Sequence, residues 1–203
     1  AVAVLKVDGV HGAAPAQVFK PGLDNIGFGG VDHDRQGGAG GQEGREGGHV
    51  AAAVAAGGEV VDDSQAPGLT VIADPEAYRR RFRSWMSSVD VVKLSDEDAA
   101  WLNKGSAGSS TTDWLADGVA AVVTTAGAAG ITVRTAAGEV TAPAPAVDVV
   151  DTIGAGDSVL GGLVNHLDRR GRLTPGAVRS LTLQQWREAA EFAAHVAAVT
   201  VSR

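Results

Sequence analysis

Asp151-Thr152-Ile153-Gly154-Ala155-Gly156-Asp157 lies between an apolar run and a long segment with helical apolar spacing. Val147, Val149 and Val150 read as the end of a buried strand, while Val159, Leu160, Leu163, Val164 and Leu167 recur at the period of an amphipathic helix. A strand entering a glycine turn from which a helix leaves is the expected local structure. Two glycines let backbone N–H groups approach a ligand with no Cβ in the way. The helix start adds unpaired donors and a positive dipole end, which together suit an anion such as phosphate. Asp157, in the first turn, places a carboxylate where it can take a proton from an attacking hydroxyl. A glycine turn with an Asp that only complements the dipole is the plainer alternative.

Six of the seven positions match Asp-Thr-x-Gly-Ala-Gly-Asp, and the stretch resembles the C-terminal signature of the ribokinase-like (PfkB-type) carbohydrate kinases. The resemblance implies an α/β, ribokinase-like fold: a mostly parallel sheet with helices on both faces and an irregular or incomplete N-terminal part. Two further stretches fit it. In Lys93-Leu94-Ser95-Asp96-Glu97-Asp98, Ser95 and Asp98 stand where the family carries Asn-x-x-Glu, which helps organise Mg²⁺ and phosphate through water. Ser followed by an acid three residues on also reads as a helix cap, and the two roles are compatible. Thr124, Gly127 and Gly130 match the spacing of the family's Val-Thr-x-Gly-x-x-Gly, next to the nucleotide; alone they would read as a hairpin turn.

The resemblance implies ATP-dependent phosphorylation of a sugar hydroxyl, with fructose the first candidate and ribose or a nucleoside the alternatives. Asp157 would be the base, and the amides of Gly154, Ala155 and Gly156 would stabilise the transferring phosphoryl group. Asp98 and Ser95 would organise Mg²⁺, and Asp151 with Thr152 would hold a monovalent cation such as K⁺. Thr124, Gly127, Gly130, Thr152, Ala194 and His195 would contact the nucleotide, although His195 also reads as a polar-face histidine. The run Val91–Asp98 and Thr200-Val201-Ser202-Arg203 look fructokinase-like. A sugar and ATP are the implied partners, and a homodimer is compatible with the family.

The whole chain of 203 residues carries a net charge of −7 and no cysteine. That gives no electrostatic footprint for nucleic acid, no disulfide framework and no thiolate chemistry. No apolar run is long enough to span a bilayer and no signal-peptide pattern is evident, so a cytoplasmic location without membrane partners is the default expectation. The only Met is Met86 and the chain begins at Ala1, as a processed protein or a fragment would.

The first third differs from the rest. Residues 1–68 hold 16 of the 28 glycines, and 27–48 are low in complexity without any periodicity that buries a face. One strand over 1–7 and two helical turns over 50–56 are the only elements expected there. Asp32-His33-Asp34, His11 and His49 lack ligand spacing. No match to the family's N-terminal sugar-binding and lid segment is found, so residues 1–68 read as a Gly-rich, non-native or disordered stretch, such as a shifted reading frame would give. Residues 69–203 read as the nucleotide-binding half. A catalytically incompetent nucleotide-binding fragment is therefore the competing reading of function.

Within 69–203, strands are expected over 69–73, 89–94 and 119–125, with a hairpin over 131–140. A helix after Pro75 would turn Tyr78, Phe82, Trp85, Met86 and Val89 inward and Arg79, Arg80, Arg81 and Arg83 outward. Thr112 or Asp113 would cap a short helix. Residues 169–176 read as a polar loop and His166 as a surface residue. The last helix, from Thr182 or Leu183, would pack Trp186, Ala189, Ala190, Phe192, Ala193, Val196 and Ala197 inward. The chain stops at Arg203, before the Gly-Ala-type turn usual in the family.

Overall fold

The computed structural model describes residues 2–8, 49–55, 74–104 and 110–203. The expectations for residues 9–48, 56–73 and 105–109 lie outside them. The strands are β1 (Val2–Asp8), β2 (His49–Ala55), β3 (Val91–Ser95), β4 (Ala121–Thr125), β5 (Ile131–Thr135) and β6 (Gly138–Ala142). They form one sheet in the order β2-β1-β3-β4-β5-β6. The helices are α1 (Pro75–Trp85), α2 (Asp96–Leu102), α3 (Thr111–Ala116), α4 (Ala155–Asp168), α5 (Pro175–Arg179) and α6 (Leu183–Val201).

The α/β architecture is as expected, but the sheet is mixed rather than mostly parallel. Among the described residues only β3 and β4 pair in parallel, joined by the α2–α3 crossover that a parallel pair requires. Five residues join β4 to β5 and two join β5 to β6, and such short links allow only antiparallel pairing. The stretch expected as two helical turns is β2 instead, antiparallel to β1 from Val2↔Ala55 to Asp8↔His49. An isolated helix of that length is marginal in water, whereas the strand satisfies its backbone against β1.

Helices cover both faces, as expected. Alternation along β3 and β4 sends Val91, Ala121 and Val123 into a core with α4, α5 and α6. Val92, Leu94 and Val122 point to the opposite core, with Phe82, Met86 and Trp114. Caps fix the helix starts. Asp74 accepts from the Ala77 N–H at 2.9 Å with Pro75 next in line. Thr182 and Gln185 close a capping box on α6.

Several local expectations are corrected. Residues 143–149 form no strand, and Val149 and Val150 are 61% and 70% exposed. Pro143 and Pro145 remove donors, and among the described residues no further strand flanks β6. Ser110, not Thr112 or Asp113, caps α3, through a capping box with Asp113. The loop after α4 contains the short helix α5, signalled by Thr174 capping ahead of Pro175. Arg79 is buried, with its guanidinium 4.3 Å from the Trp101 ring centroid and its Nε donating to the Trp101 carbonyl at 3.1 Å. It shares a helical stripe with Phe82 and Met86. His166 is buried in the α4 stripe with Leu163, and Phe192, expected inward, is 41% exposed over the imidazole at 5.3 Å. Among the described residues no helix is long and apolar enough to cross a membrane.

Candidate functional site

The parallel strands β3 and β4 end together at Ser95 and Thr125, and ligands in α/β sheets collect at such carboxyl ends. Lys93 follows Val91 on the α4 side of β3 and is 3% exposed. One residue past Leu94, the Ser95 hydroxyl accepts from the Asp98 N–H at 3.1 Å and donates to Asp98 Oδ2 at 2.8 Å. The capping role is thus observed, and it ties the half-buried Asp98 carboxylate in place. Burial pushes the Asp98 carboxyl up, and the groups that outweigh it, leaving it below the usual range, include the Ser95 hydroxyl and backbone.

The glycine turn meets this edge from α4. Asp151 Oδ1 accepts from the Ile153 N–H at 2.9 Å, which folds the turn on itself. Gly154 takes φ +79° as the N-cap of α4, and no side chain caps that start. A left-handed backbone there explains the glycine, and the uncapped first turn retains donors for an anion. The Ala155 N–H is itself 3.2 Å from the Thr152 carbonyl. Gly156 lies against the tip of Lys93: a Cβ there would come within 2.7 Å of Lys93 Nζ and displace it. Burial lowers the Lys93 pKa, while Asp157 and Asp98 pull it back up. The Lys93 amino group therefore stands behind the turn with two carboxylates near it. Asp157 is exposed.

A cavity of about 490 Å³ opens beside the turn, within the roughly 300–1,000 Å³ typical of small-molecule sites. Thr125, Gly127 and Gly130 form one wall, Thr152, Ala155 and Gly156 its end, and Ala194, Ala197 and Val201 of α6 the other wall. Gly130 must be glycine: φ is +95° and a Cβ would meet the Ala142 carbonyl at 2.2 Å. Of the residues singled out from sequence, Gly127, Gly130, Thr152, Ala155, Gly156 and Ala194 thus gather around one space.

Thr124 and His195 do not line it. Strand alternation turns Thr125 rather than Thr124 toward α6, and His195 is exposed with Nδ1 donating to the Glu191 carbonyl at 2.7 Å. Asp151 and Gly154 sit on the exposed turn. Among the described residues no three His, Asp or Glu side chains converge as a metal cage. Sequence reasoning missed Lys93 and Thr125. A lone Lys inside Val91-Val92-Lys93-Leu94 was the available signal, because lysine is seldom fully buried without a partner.

Residues 52–203 match the family described as "pfkB family carbohydrate kinase". A fructokinase of Rhizobium leguminosarum bv. trifolii is 36% identical over 128 residues, which are 63% of this chain and 39% of that protein. An aminoimidazole riboside kinase of Salmonella typhimurium is 40% identical over 80 residues, 39% of this chain and 25% of that protein. The crystal structure of aminoimidazole riboside kinase from Salmonella enterica, complexed with aminoimidazole riboside and an ATP analog, superposes with a TM-score of 0.54. The identity there is 26%, covering 66% of this chain and 42% of that one. The fold is therefore shared with these kinases, and the chain spans well under half the length of the relatives it matches.

Proposed function

The chain belongs to the pfkB family of carbohydrate kinases, and from that premise we propose that residues 69–203 form the nucleotide-binding and phosphoryl-transfer part of an ATP-dependent sugar kinase. The observation that carries the reading is the uncapped, glycine-built start of α4, set against the buried Lys93 and opening on the 490 Å³ cavity.

In this reading the base of ATP lies between the Thr125–Gly130 wall and Ala194, and its phosphates reach the first turn of α4. Asp157 accepts the proton of the sugar hydroxyl as that oxygen bonds to the γ-phosphorus and the bond to ADP breaks. The amides of Gly154 and Gly156, joined by that of Ala155 as it exchanges the Thr152 carbonyl for the phosphoryl oxygen, offset charge on the transferring group, with Lys93 behind them. Loss of one such donor typically costs about 10²–10³ in rate. Asp98, kept ionised and steadied by Ser95, suits Mg²⁺, which takes one or two carboxylates and otherwise waters and phosphates. Bound there, the metal would neutralise phosphate charge. Asp151 and Thr152 offer oxygens to a monovalent cation. Thr124 and His195, off the cavity, are assigned no direct contact.

Fructose is the first candidate substrate, supported by the 36% identity to a fructokinase. A riboside or other nucleoside is the alternative, supported by the match to aminoimidazole riboside kinase. A second reading, a nucleotide-binding unit without turnover, is favoured by the open reactive edge: Asp157 is exposed and Ile153 is 82% exposed. Phosphoryl transfer needs water kept from that edge and the hydroxyl held in line.

An ADP-coupled assay over fructose, ribose and nucleosides, with ATP binding measured in parallel, separates these readings. Turnover that Asp157→Asn abolishes, with ATP affinity kept, is expected of the kinase. Binding without turnover supports the second reading, and absence of both refutes the two together.

A further inference from the structure

A second cavity, of about 250 Å³, lies at the opposite end of α4 and is lined by His166, Arg170, Arg172, Gln185 and Glu188 over Leu167 and Leu181. It is smaller than the roughly 300 Å³ at which drug-sized pockets begin, so any ligand would be small. His166 is nine residues along α4 from Asp157, about 13 Å at 1.5 Å per residue, and shares no lining residue with the cavity at the turn.

Its chemistry is donor-rich. Arg79, Arg83, Arg134, Arg179 and Arg187 each pair with a carboxylate, but neither Arg170 nor Arg172 does among the described residues. Arg172 is half-buried nonetheless. One Arg170 nitrogen lies 3.3 Å from His166 Nδ1. Arginine can only donate, so Nδ1 accepts and the ring proton sits on Nε2, a further donor. Gln185 Oε1 is taken by the Thr182 N–H at 2.9 Å, which leaves its amide NH₂ as the end free to donate. The one carboxylate in the lining is Glu188, so two guanidiniums face a single negative charge.

We propose that this cavity is a binding site for a small phosphate-type oxyanion, gripped by the guanidiniums of Arg170 and Arg172 with His166 and Gln185 as supporting donors. Guanidiniums match the paired oxygens of a phosphate group in a way a lone ammonium does not.

His166 supplies an internal reporter. Burial lowers its pKa, Arg170 adds to the lowering, and Glu188 opposes it. A bound anion favours the imidazolium and so raises that pKa. The test follows the histidine ring signals of the 203-residue chain by NMR through a pH titration. Inorganic phosphate is compared with sodium chloride at matched ionic strength, and His166 is assigned from His166→Gln. The His166 midpoint is expected to rise by about half a unit or more in phosphate. Arg172→Gln, and independently Arg170→Gln, should weaken the phosphate effect about tenfold. A His166 midpoint that phosphate moves no further than chloride overturns the proposal. So does a shift of full size in both arginine variants, provided each retains the parent melting temperature.

Discussion

Two adjacent glycines in α4 should respond unequally to the same substitution, which stabilises at Gly161 and does not at Gly162. Gly161 is exposed, and a Cβ there would meet nothing within 4 Å. Gly162 is buried, and its Cβ would lie 2.8 Å from Ala193 Cα, 3.2 Å from Ala193 Cβ and 3.4 Å from Val196 Cβ. Carbon atoms rest at about 3.5–4.0 Å, so α4 and α6 would have to part by roughly 1 Å. Gly→Ala inside a helix gains about 1 kcal/mol at either position. Overpacking costs about 1–3 kcal/mol at Gly162 alone. The common gain cancels in the comparison, leaving Gly162→Ala about 1–3 kcal/mol less stable than Gly161→Ala. Urea unfolding of the parent and both variants reads this as a midpoint shift at constant m-value. In thermal melts each kcal/mol is about 2–4 °C for a chain of this size. Because α6 also carries Ala194 and Ala197 into the cavity beside the glycine turn, Gly162→Ala should weaken ATP binding as well if that cavity takes the nucleotide as proposed. Equal stabilisation by the two substitutions would refute the close α4–α6 packing.

Two further substitutions probe the site and its support. Lys93→Met removes a buried ammonium whose charged form the fold disfavours, so the melting temperature should hold or rise, while ATP affinity falls about tenfold or more. Unchanged affinity by calorimetry would take Lys93 out of the site. Arg179 holds Asp90, whose side chain is 1% exposed, at 2.7 Å and the Gly118 carbonyl at 2.8 Å. Arg179→Ala should cost about 1.5–3 kcal/mol in denaturant unfolding, and Arg179→Lys should recover only part, because an ammonium cannot span both acceptors as the fork does.

Features coded by neighbouring residues were legible in the sequence. The glycine turn and α4 could be read because Gly154 and the Val159–Leu163–Leu167 spacing act locally, as does the cap at Ser95. What depended on distant partners was not. An apolar run such as Val147–Val150 looks the same whether or not a strand lies beside it, and among the described residues none does. Pairing direction is decided by link length and by which strands meet, so the mixed sheet could not be read from β-branched runs alone. Arg79 and His166 looked like surface residues by type, and partners distant in sequence, among them the Trp101 and Phe192 rings, pack against them. Lys93 was visible as an anomaly in a buried strand, but its purpose depends on Gly156, which lies 63 residues further along the chain.

The most direct test of the central claim is to titrate the isotopically labelled 203-residue chain with Mg²⁺-ATP and follow backbone amides by NMR. Saturable shifts are expected first at Gly154, Ala155, Gly156 and Asp157, together with Gly127, Gly130 and Ala194 across the cavity. They should all report one dissociation constant. ATP that leaves the Gly154–Asp157 amides unmoved, or that binds only elsewhere on the chain, would contradict a phosphoryl-transfer site at the start of α4.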